Sequence, residues 1–422
     1  MMIKIRDFFF KHKIFFAVVA LLPLYHFLIA GGGEVFQVKE INYTYHAVDF
    51  SMGFCTKLLP GSIYRMLVGV YTREAVSVYL LFVYFFFVIL LAVAVEQFAR
   101  KFKDSSVSCL IFIIFVLTGP LTFNLFVVEL GMLDFYWVIF FIPACLCLHN
   151  KYLRFFAPVF VFLMIMTHYG SIITYVAGYL FIIALYWLTA QKKKDKTVYF
   201  ILLCICAVVG CGLALYFIRN EASNVVYNID EFKNIMYKER DAYPVYYDYS
   251  FYKYFGPEYA GSRLAEAYKM GFVGADVKAD NIFKFFFTQL KAALYYASVS
   301  KMIATYLAAL IPQSVLVYIL IGYLKKEKAN EKTLLKRLEV IAFIVFDFFM
   351  GFGAGLMSND TPRWVGHSVI LMFAFVMHLL YFDYSEGMER LNTLLKKIRY
   401  PLAWLFLFIY SCIIMDPYVI NI

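Results

Sequence analysis

The chain has 422 residues, of which 63% are hydrophobic and 16% are charged. Soluble domains have about 45–50% apolar and about 25% charged residues, so this composition excludes an ordinary soluble enzyme and indicates a protein embedded in a bilayer. The net charge of +10 does not indicate a nucleic-acid partner, because the basic excess lies in short segments between apolar runs, where membrane topology explains it.

Apolar runs occur along the whole chain, and most approach the roughly 20 residues that a helix needs to cross the hydrocarbon layer. They occupy residues 14–31, 76–95, 107–127, 134–149, 154–167, 169–189, 198–218, 302–323, 339–357, 365–382 and 401–417. The first resembles a signal peptide, but Leu28 is too large for a cleavage pattern, and we expect an uncleaved span. Residues 154–189 admit a second interpretation as one long kinked helix. We predict a single all-α, polytopic transmembrane domain, residues 1–422, with about 11 transmembrane helices.

The distribution of basic residues predicts the orientation of these helices. With a cytoplasmic N-terminus, the cytoplasmic segments hold 23 of the 39 Lys and Arg residues, whereas the short outer loops hold five. Long loops do not follow the positive-inside rule, so the 11 basic residues of 219–301 do not disturb this assignment. We predict a multi-pass protein of the cell membrane with an extracytoplasmic C-terminus.

Two outer loops, 32–75 and 219–301, are far longer than a connection requires. Loops of this length are usually functional or disordered, and these are too aromatic for disorder. In the first loop, Phe50, Phe54 and Leu58 recur at four-residue spacing, as on one face of a helix. We expect Pro60-Gly61 to break this helix and a second short helix to follow at residues 62–71, both lying along the membrane interface.

Three acidic residues of the outer loops are candidate catalytic groups: Asp49, Glu129 and Asp134. We expect Asp49 and Asp134 to converge from different loops. Two carboxylates in one cavity suit proton abstraction from a hydroxyl-rich acceptor. In the alternative interpretation, Asp49 caps or solvates its loop and Asp134 serves the N-terminus of its helix.

The turn between spans 9 and 10 carries three candidate substrate-binding residues, Asp360, Arg363 and Trp364. An arginine in a short outer turn opposes the charge rule, and its fork of donors suits phosphate or carboxylate. The alternative is a structural salt bridge between Asp360 and Arg363. Trp364 fits a membrane interface.

Further candidates for substrate binding lie in the two long loops and at the break between spans 5 and 6. They are Lys57, Arg65, His168, Tyr247, Tyr249 and Arg263. Tyrosine rings offer flat faces to sugars, but they also suit an interfacial belt. For His168, the alternative is a hydrogen bond to a neighbouring helix.

The sequence contains no G-x-x-x-x-G-K-[ST] loop and no H-E-x-x-H motif. The longest cytoplasmic segment, 383–400, is too short for a nucleotide-sugar domain, so any donor must be membrane-borne or come from a partner. Asp347 lies within span 9, where an ionisable group is a functional hypothesis by default. No cofactor is predicted, and a divalent metal stays an open alternative.

The order of these features resembles the GT-C superfamily of membrane glycosyltransferases, which use polyprenyl-phosphate-linked sugars. The resemblance covers the layout of the first eight spans and rests on Asp49, on Glu129 or Asp134, and on the segment 219–301. The stretches that contain Asp49 and Arg363 also look like membrane proteins of bacterial surface-polysaccharide gene clusters.

In those proteins we expect Arg where this chain has Lys57, and a lysine does not grip phosphate in a planar, bidentate manner. The resemblance implies an inverting glycosyltransferase that moves a sugar from a polyprenyl-phosphate donor to a glycan or lipid-linked acceptor on the extracytoplasmic face, in surface-polysaccharide assembly. Asp49 would be the general base, and Arg363 would stabilise charge on the departing phosphate. Two alternatives stay open: a polysaccharide polymerase of the Wzy type, and a non-enzymatic flippase or transporter. Membrane lipids are expected partners in each case.

Overall fold

The described part of the chain is helical apart from turns and short connections. The computed structural model describes residues 11–29, 40–54, 57–128, 130–220, 231, 234–240, 299–326, 331–354 and 361–413. The helices are α1 (Lys13–Ile29), α2 (Glu40–Ala47), α3 (Leu59–Leu67), α4 (Arg73–Lys101), α5 (Ser106–Leu117), α6 (Pro120–Phe123), α7 (Leu133–Leu148), α8 (Ala157–Thr167), α9 (Tyr175–Thr189), α10 (Lys193–Asn220), α11 (Val299–Lys326), α12 (Glu331–Phe348), α13 (Thr361–Phe382), α14 (Glu386–Ile398) and α15 (Tyr400–Ser411). The prediction of an all-α fold is confirmed for these residues.

Several of these helices are long and apolar enough to cross a membrane, as a multi-pass membrane protein requires. They are Arg73–Lys101, Tyr169–Thr189, Lys193–Phe217, Ser300–Lys325 and Thr361–Phe382. A bent pair, Val107–Leu117 and Pro120–Val127 at 52° to each other, provides a sixth if it forms one span. Each of the eleven predicted runs contains a helix, but the count of eleven spans stays a prediction.

The surface of α4 shows how such a helix meets its surroundings. One face is buried against α1, α2 and α7. Large apolar side chains lie exposed elsewhere on the helix: Val78, Phe82, Phe85, Phe86 and Ile89. Contiguous apolar surface of this kind is unfavourable in water and suits contact with lipid. Thr72 caps the N-terminus of α4 by accepting from the Ala75 amide at 3.2 Å. Threonine is one of the residues preferred at this position.

Helix α13 is the centre of the bundle. It packs against α6, α9, α11 and α12, and most of its residues are buried inside the protein. Small residues allow these close approaches: a Cβ at Gly366 would lie 3.1 Å from the Leu121 carbonyl oxygen, and one at Gly178 of α9 would lie 2.8 Å from Leu371. Residues on the buried side of α13 are therefore held by several helices at once.

The segment 154–189 is two helices and not one long kinked helix. Helix α8 ends at Thr167, and a separate 3-10 turn, Tyr169–Ile173, leads into α9. His168 between them has an extended backbone (φ −168°, ψ 129°) and accepts the Gly170 amide on its Nδ1 at 2.8 Å. The break predicted at this position is confirmed.

The prediction of a continuous helix through Phe50, Phe54 and Leu58 is wrong. Only Phe50–Met52 forms a 3-10 turn. Gly53 (φ 140°) and Lys57 (φ 73°) then have positive φ values, which a right-handed helix does not contain. The prediction that Pro60-Gly61 ends a helix is also wrong, because Pro60 occupies the first turn of α3, where its missing N–H costs no helical hydrogen bond.

The second short helix therefore begins earlier than expected, at Leu59. A Cβ at Gly61 of α3 would collide with the Val48 carbonyl oxygen, so only glycine allows α3 to close over the chain that follows α2. Helix α2 also packs on α4, and its described residues from Asn42 onward are buried. Helix α2 and the start of α3, within the described residues of the first outer loop, are thus packed parts of the bundle.

The end of the bundle where α4, α7 and α13 finish carries a helix in a segment that was predicted to be only a connection. Helix α14 lies within 383–400, begins with Glu386 and Glu389 and ends with Lys396 and Lys397, the charge order that a helix dipole favours. Its buried residues pack it against α5 and α11. We call this the Lys336 end, after the ion pair of Lys336 with Asp383 at 2.9 Å.

Candidate functional site

Two buried acids lie at one end of the bundle, where α4, α7 and α13 begin and α8 ends. We call this the Asp49 end. Direct contacts join the first outer loop to this end: His46 Nε2 lies 2.7 Å from the Tyr136 hydroxyl oxygen at the start of α7, and the Lys57 amide donates to the Met166 carbonyl at the end of α8 at 3.2 Å. The predicted outer face corresponds to this end.

Asp49 is 2% exposed and uses both carboxylate oxygens. Its Oδ1 accepts the Ser51 amide at 2.7 Å, which caps the 3-10 turn, and lies 2.8 Å from Arg65 Nη1. Its Oδ2 lies 2.8 Å from Arg240 Nη1 and accepts the Tyr71 hydroxyl at 3.3 Å. The capping role offered as the alternative is therefore present, together with two arginine contacts that capping does not explain.

Arg240 is the more deeply held of the two arginines. It follows the π-helical turn Ile235–Glu239 in the long segment, and it donates to the Ala47 carbonyl. Its own carbonyl accepts the Tyr43 hydroxyl at 2.7 Å, and its guanidinium lies 4.6 Å from the centre of the Tyr71 ring. The two long outer loops are thus joined at Asp49.

These contacts keep Asp49 ionised. Burial alone would raise the pKa of Asp49, but hydrogen bonds from Ser51 and the charges of Arg240 and Arg65 outweigh it, so the pKa lies below its ordinary value of 3.8. A base works best with a pKa near the operating pH. In this arrangement Asp49 is therefore a weak base, and it becomes a stronger one only if it loses a cation.

Asp134 forms the second acidic centre, in the first turn of α7. Its Oδ2 lies 2.7 Å from Arg363 Nε and 3.0 Å from His367 Nε2. His367 Nδ1 in turn lies 2.8 Å from the Tyr175 hydroxyl oxygen. Asp134 therefore binds the first turns of α13, and its side chain does not serve α7 as an N-terminal cap.

Lys57 and His168 lie beside this second centre. His168 is within the electrostatic reach of Lys57, Asp134 and Arg363, and its ring lies 5.7 Å from that of Trp137 on α7. Lys57 is 5% exposed and has a left-handed backbone, which is uncommon for a residue other than glycine and is often found at functional positions.

The structure brings Lys57, Asp134, His168 and Arg363 together, and it brings Arg65 to Asp49. Trp364 is half-buried, with its ring 6.5 Å from that of His367. The other predicted site residues lie outside the described residues: Glu129, Tyr247, Tyr249, Arg263 and Asp360. Arg363 forms its described ion pair with Asp134, and the alternative pair with Asp360 stays a prediction. Convergence of Asp49 and Asp134 in one cavity also stays a prediction.

Sequence reasoning missed three residues of these centres: Tyr71, Arg240 and His367. His367 had a usable signal, because it follows Arg363 by four residues at the start of a helix and so shares its face. Tyr71 and Arg240 had none, since nothing local distinguishes them from the other tyrosines and basic residues of the long loops.

No group of three His, Cys, Asp or Glu side chains is arranged to hold a metal ion within the described residues. A separate cavity of about 130 Å³ lies between α4, α7 and α13 toward the Lys336 end, with mostly apolar walls and with His149 and His378 among its lining residues. It is remote from the two acids and does not belong to the site.

Fold and site define a class: an all-helical protein with apolar helices that can cross a membrane, in which two buried acids are paired with arginines at one end. Searches of protein families, curated proteins and solved structures found no match to this chain.

Proposed function

We propose that this protein is a membrane glycosyltransferase that moves a sugar from a polyprenyl-phosphate donor to a glycan or lipid-linked acceptor in surface-polysaccharide assembly. The observation that carries the proposal is the pairing of two buried carboxylates with arginines at the same end of the bundle. A transferase of this kind needs a base for the acceptor and cations for the lipid phosphate, and both are present there.

The cations around the two buried acids suit an anionic ligand. Four described cations lie at or beside these two carboxylates. The carboxylates are Asp49 and Asp134, and the cations are Lys57, Arg65, Arg240 and Arg363. Arginine donors suit the geometry of a phosphate. In the free protein, Asp49 and Asp134 are described anionic partners of these arginines, and an arriving phosphate would compete with them.

The exposure of the two arginines at Asp49 suggests how binding would activate the base. The Arg65 side chain is 51% exposed, whereas that of Arg240 is 8% exposed. We infer that an arriving phosphate draws Arg65 away from Asp49 Oδ1, while Arg240 stays. Loss of one cation raises the pKa of the carboxylate and frees an oxygen for the acceptor hydroxyl.

The transfer step then follows. The acceptor oxygen attacks the anomeric carbon, its proton passes to Asp49, and the bond from carbon to phosphate oxygen breaks with its electron pair on the phosphate. Attack opposite the departing group inverts the configuration. Arg65 and Arg363 stabilise the growing phosphate charge. Asp49 later returns its proton to water. The donor side is extracytoplasmic in this proposal, with the N-terminus cytoplasmic.

The test uses purified protein in lipid nanodiscs with a panel of polyprenyl-phosphate sugars that carry a radiolabelled hexose, plus an acceptor glycan. We expect labelled product from the native protein and none from Asp49→Asn. The control is Asp383→Asn at the Lys336 end, because Asp383 also accepts from a cation and a tyrosine, Lys336 and Tyr323. Full activity of Asp49→Asn would remove this residue from the mechanism.

One observation favours each alternative. The arginines of the Asp49 end would bind a pyrophosphate as readily as a phosphate, which suits a Wzy-type polymerase. A ladder of repeat units in place of a single added sugar would identify it. Asp347, buried within the bundle, suits a transporter or flippase. Passage of labelled lipid across the bilayer without any product would identify that activity and exclude the transferase.

A further inference from the structure

A buried acid that the proposed site does not use lies where three helices meet. Asp347, near the end of α12, is completely buried. The Ser368 hydroxyl of α13 donates to Asp347 Oδ2 at 2.7 Å, and the Gln313 amide of α11 donates to Ser368 Oγ at 2.9 Å. This series of donors runs from Gln313 through Ser368 and ends on a single oxygen of Asp347.

The other carboxyl oxygen has no such donor. Asp347 Oδ1 is buried and without a hydrogen-bond partner among the described residues. Asp347 also forms no ion pair with any residue that the structure describes. An ionised carboxylate without a counter-charge is strongly disfavoured inside a membrane protein. A bound proton removes that charge, and Oδ1 is the oxygen left free to carry it.

The titratable groups on the neighbouring helices are engaged elsewhere. On α13, His367 is directed to Asp134. On α9, the Tyr175 hydroxyl is bonded to the same histidine. On α11, the Tyr306 hydroxyl donates to the Phe352 carbonyl at 3.3 Å. Within the described residues, these elements therefore offer Asp347 hydrogen-bond donors but no cation.

The backbone beside Asp347 is also unusual. Immediately after α12, residues Phe349–Ala354 form a π-helical turn, a feature that is frequent at functional sites. A Cβ at Gly351 in this turn would lie 2.6 Å from the Ser368 side chain. The turn thus packs tightly on the residue that donates to Asp347.

We propose that Asp347 is a proton-binding site within the bundle, which takes up one proton on Oδ1 and releases it when the surrounding helices open. Ser368 directly follows His367 on α13, so one turn of this helix contacts both Asp347 and Asp134. Uptake of the proton favours the packed arrangement of α11, α12 and α13, and its release loosens the helix start that holds Asp134. The inference does not depend on the transferase proposal.

The experiment labels the native protein in nanodiscs with dicyclohexylcarbodiimide, an apolar reagent that adds the O–H of a protonated carboxyl group across its N=C bond. Labelled peptides are then identified by mass spectrometry. We expect Asp347 to be modified at acidic pH, with the labelled fraction falling up to ~10-fold per pH unit above the midpoint, as one-proton ionisation requires. Asp383, whose carboxylate pairs with Lys336, serves as the internal control for a carboxyl group that has a cation partner.

Absence of the label from Asp347 at acidic pH in the folded protein would overturn the proposal, as would labelling that does not change with pH. Protection by sodium chloride but not by choline chloride would assign the site to a metal cation instead. Asp347→Glu should keep the modification and Asp347→Asn should lose it. Identification of the labelled peptides in the native protein tests the proposal even if a variant fails to fold. Because no transfer is measured, failure of the glycosyltransferase test leaves this result intact.

Discussion

Arg240 Nη1 lies 2.8 Å from Asp49 Oδ2, although the two residues come from different long loops. The Arg240 side chain is 8% exposed, so the pair is largely removed from water. Arg65 contacts the other oxygen of the same carboxylate at the same distance, but its side chain is 51% exposed. Asp49 therefore has one buried and one solvated cation as partners. Removing each cation should change the stability of the protein by a very different amount.

Replacing Arg240 with glutamine should destabilise the protein far more than replacing Arg65. Breaking a buried pair leaves an unpaired charge and costs about 3–5 kcal/mol, whereas an exposed pair contributes about 0–1 kcal/mol. Thermal midpoints in detergent would measure both. The double variant Arg240→Gln with Asp49→Asn should recover part of the loss. Equal midpoints for the two single variants would mean that Arg240 is not held as described.

Asp49 should make the protein sensitive to strong acid. Its folded pKa lies below the ordinary value of 3.8, so the unfolded chain binds the proton more readily. The stabilisation is complete above that value and is lost as the pH falls through the folded pKa. Thermal midpoints of the native protein should therefore drop below about pH 4 more steeply than those of Asp49→Asn. Parallel curves would contradict the pairing.

His46 should act in a different and milder pH range. Burial lowers the pKa of His46 from 6.5 to about 4, against the opposing effect of its hydrogen bond to the Asn42 carbonyl. The unfolded chain therefore binds a proton first as the pH falls below 6.5, and stability declines until the folded group titrates near 4. His46→Gln should flatten the midpoint curve over this range. A slope unchanged by the substitution would exclude His46 as its source.

The parts of the fold that depend on local pattern could be predicted from the sequence. Each apolar run contains a helix because hydrophobic length is a property of a single segment, and the break at His168 followed from the sequence His168-Tyr169-Gly170. The helix through Phe50 failed because four-residue spacing does not reveal backbone conformation: Gly53 and Lys57 have positive φ values. Helix periodicity cannot detect such residues in advance.

The site residues also divide into those that the sequence reveals and those that it does not. Asp134 and Arg363 stood out because charges at the ends of apolar runs are few, and the structure places them 2.7 Å apart. Arg240 could not be recognised, since its role depends on where a long loop folds back on the bundle. Such a contact is set by tertiary packing, which spacing along the chain does not encode.

Arg363 should be required for transfer, with a smaller effect on stability than Arg240. Loss of one preorganised donor to a developing charge lowers catalytic rates by about 10²–10³-fold, so Arg363→Gln should lose activity to this extent in the nanodisc assay. The Arg363 side chain is 20% exposed, more than that of Arg240, so we expect Arg363→Gln to lower the thermal midpoint by less than Arg240→Gln. The control is Arg100→Gln, which breaks the pair with Glu96 in the last turns of α4. Equal activity of both variants would exclude Arg363 from phosphate stabilisation.

Two glycines of the same π-helical turn provide a matched test of the packing around Asp347. A methyl group at Gly351 would lie 2.6 Å from Ser368, whereas one at Gly353 would meet only Phe349 at 3.9 Å. Overpacking of this kind costs about 1–3 kcal/mol, so Gly351→Ala should lower the thermal midpoint and Gly353→Ala should leave it nearly unchanged. Because the added methyl group pushes on Ser368, Gly351→Ala should also change the carbodiimide labelling of Asp347. Equal midpoints and equal labelling in the two variants would mean that the turn does not pack on Ser368 and does not influence the proton site at Asp347.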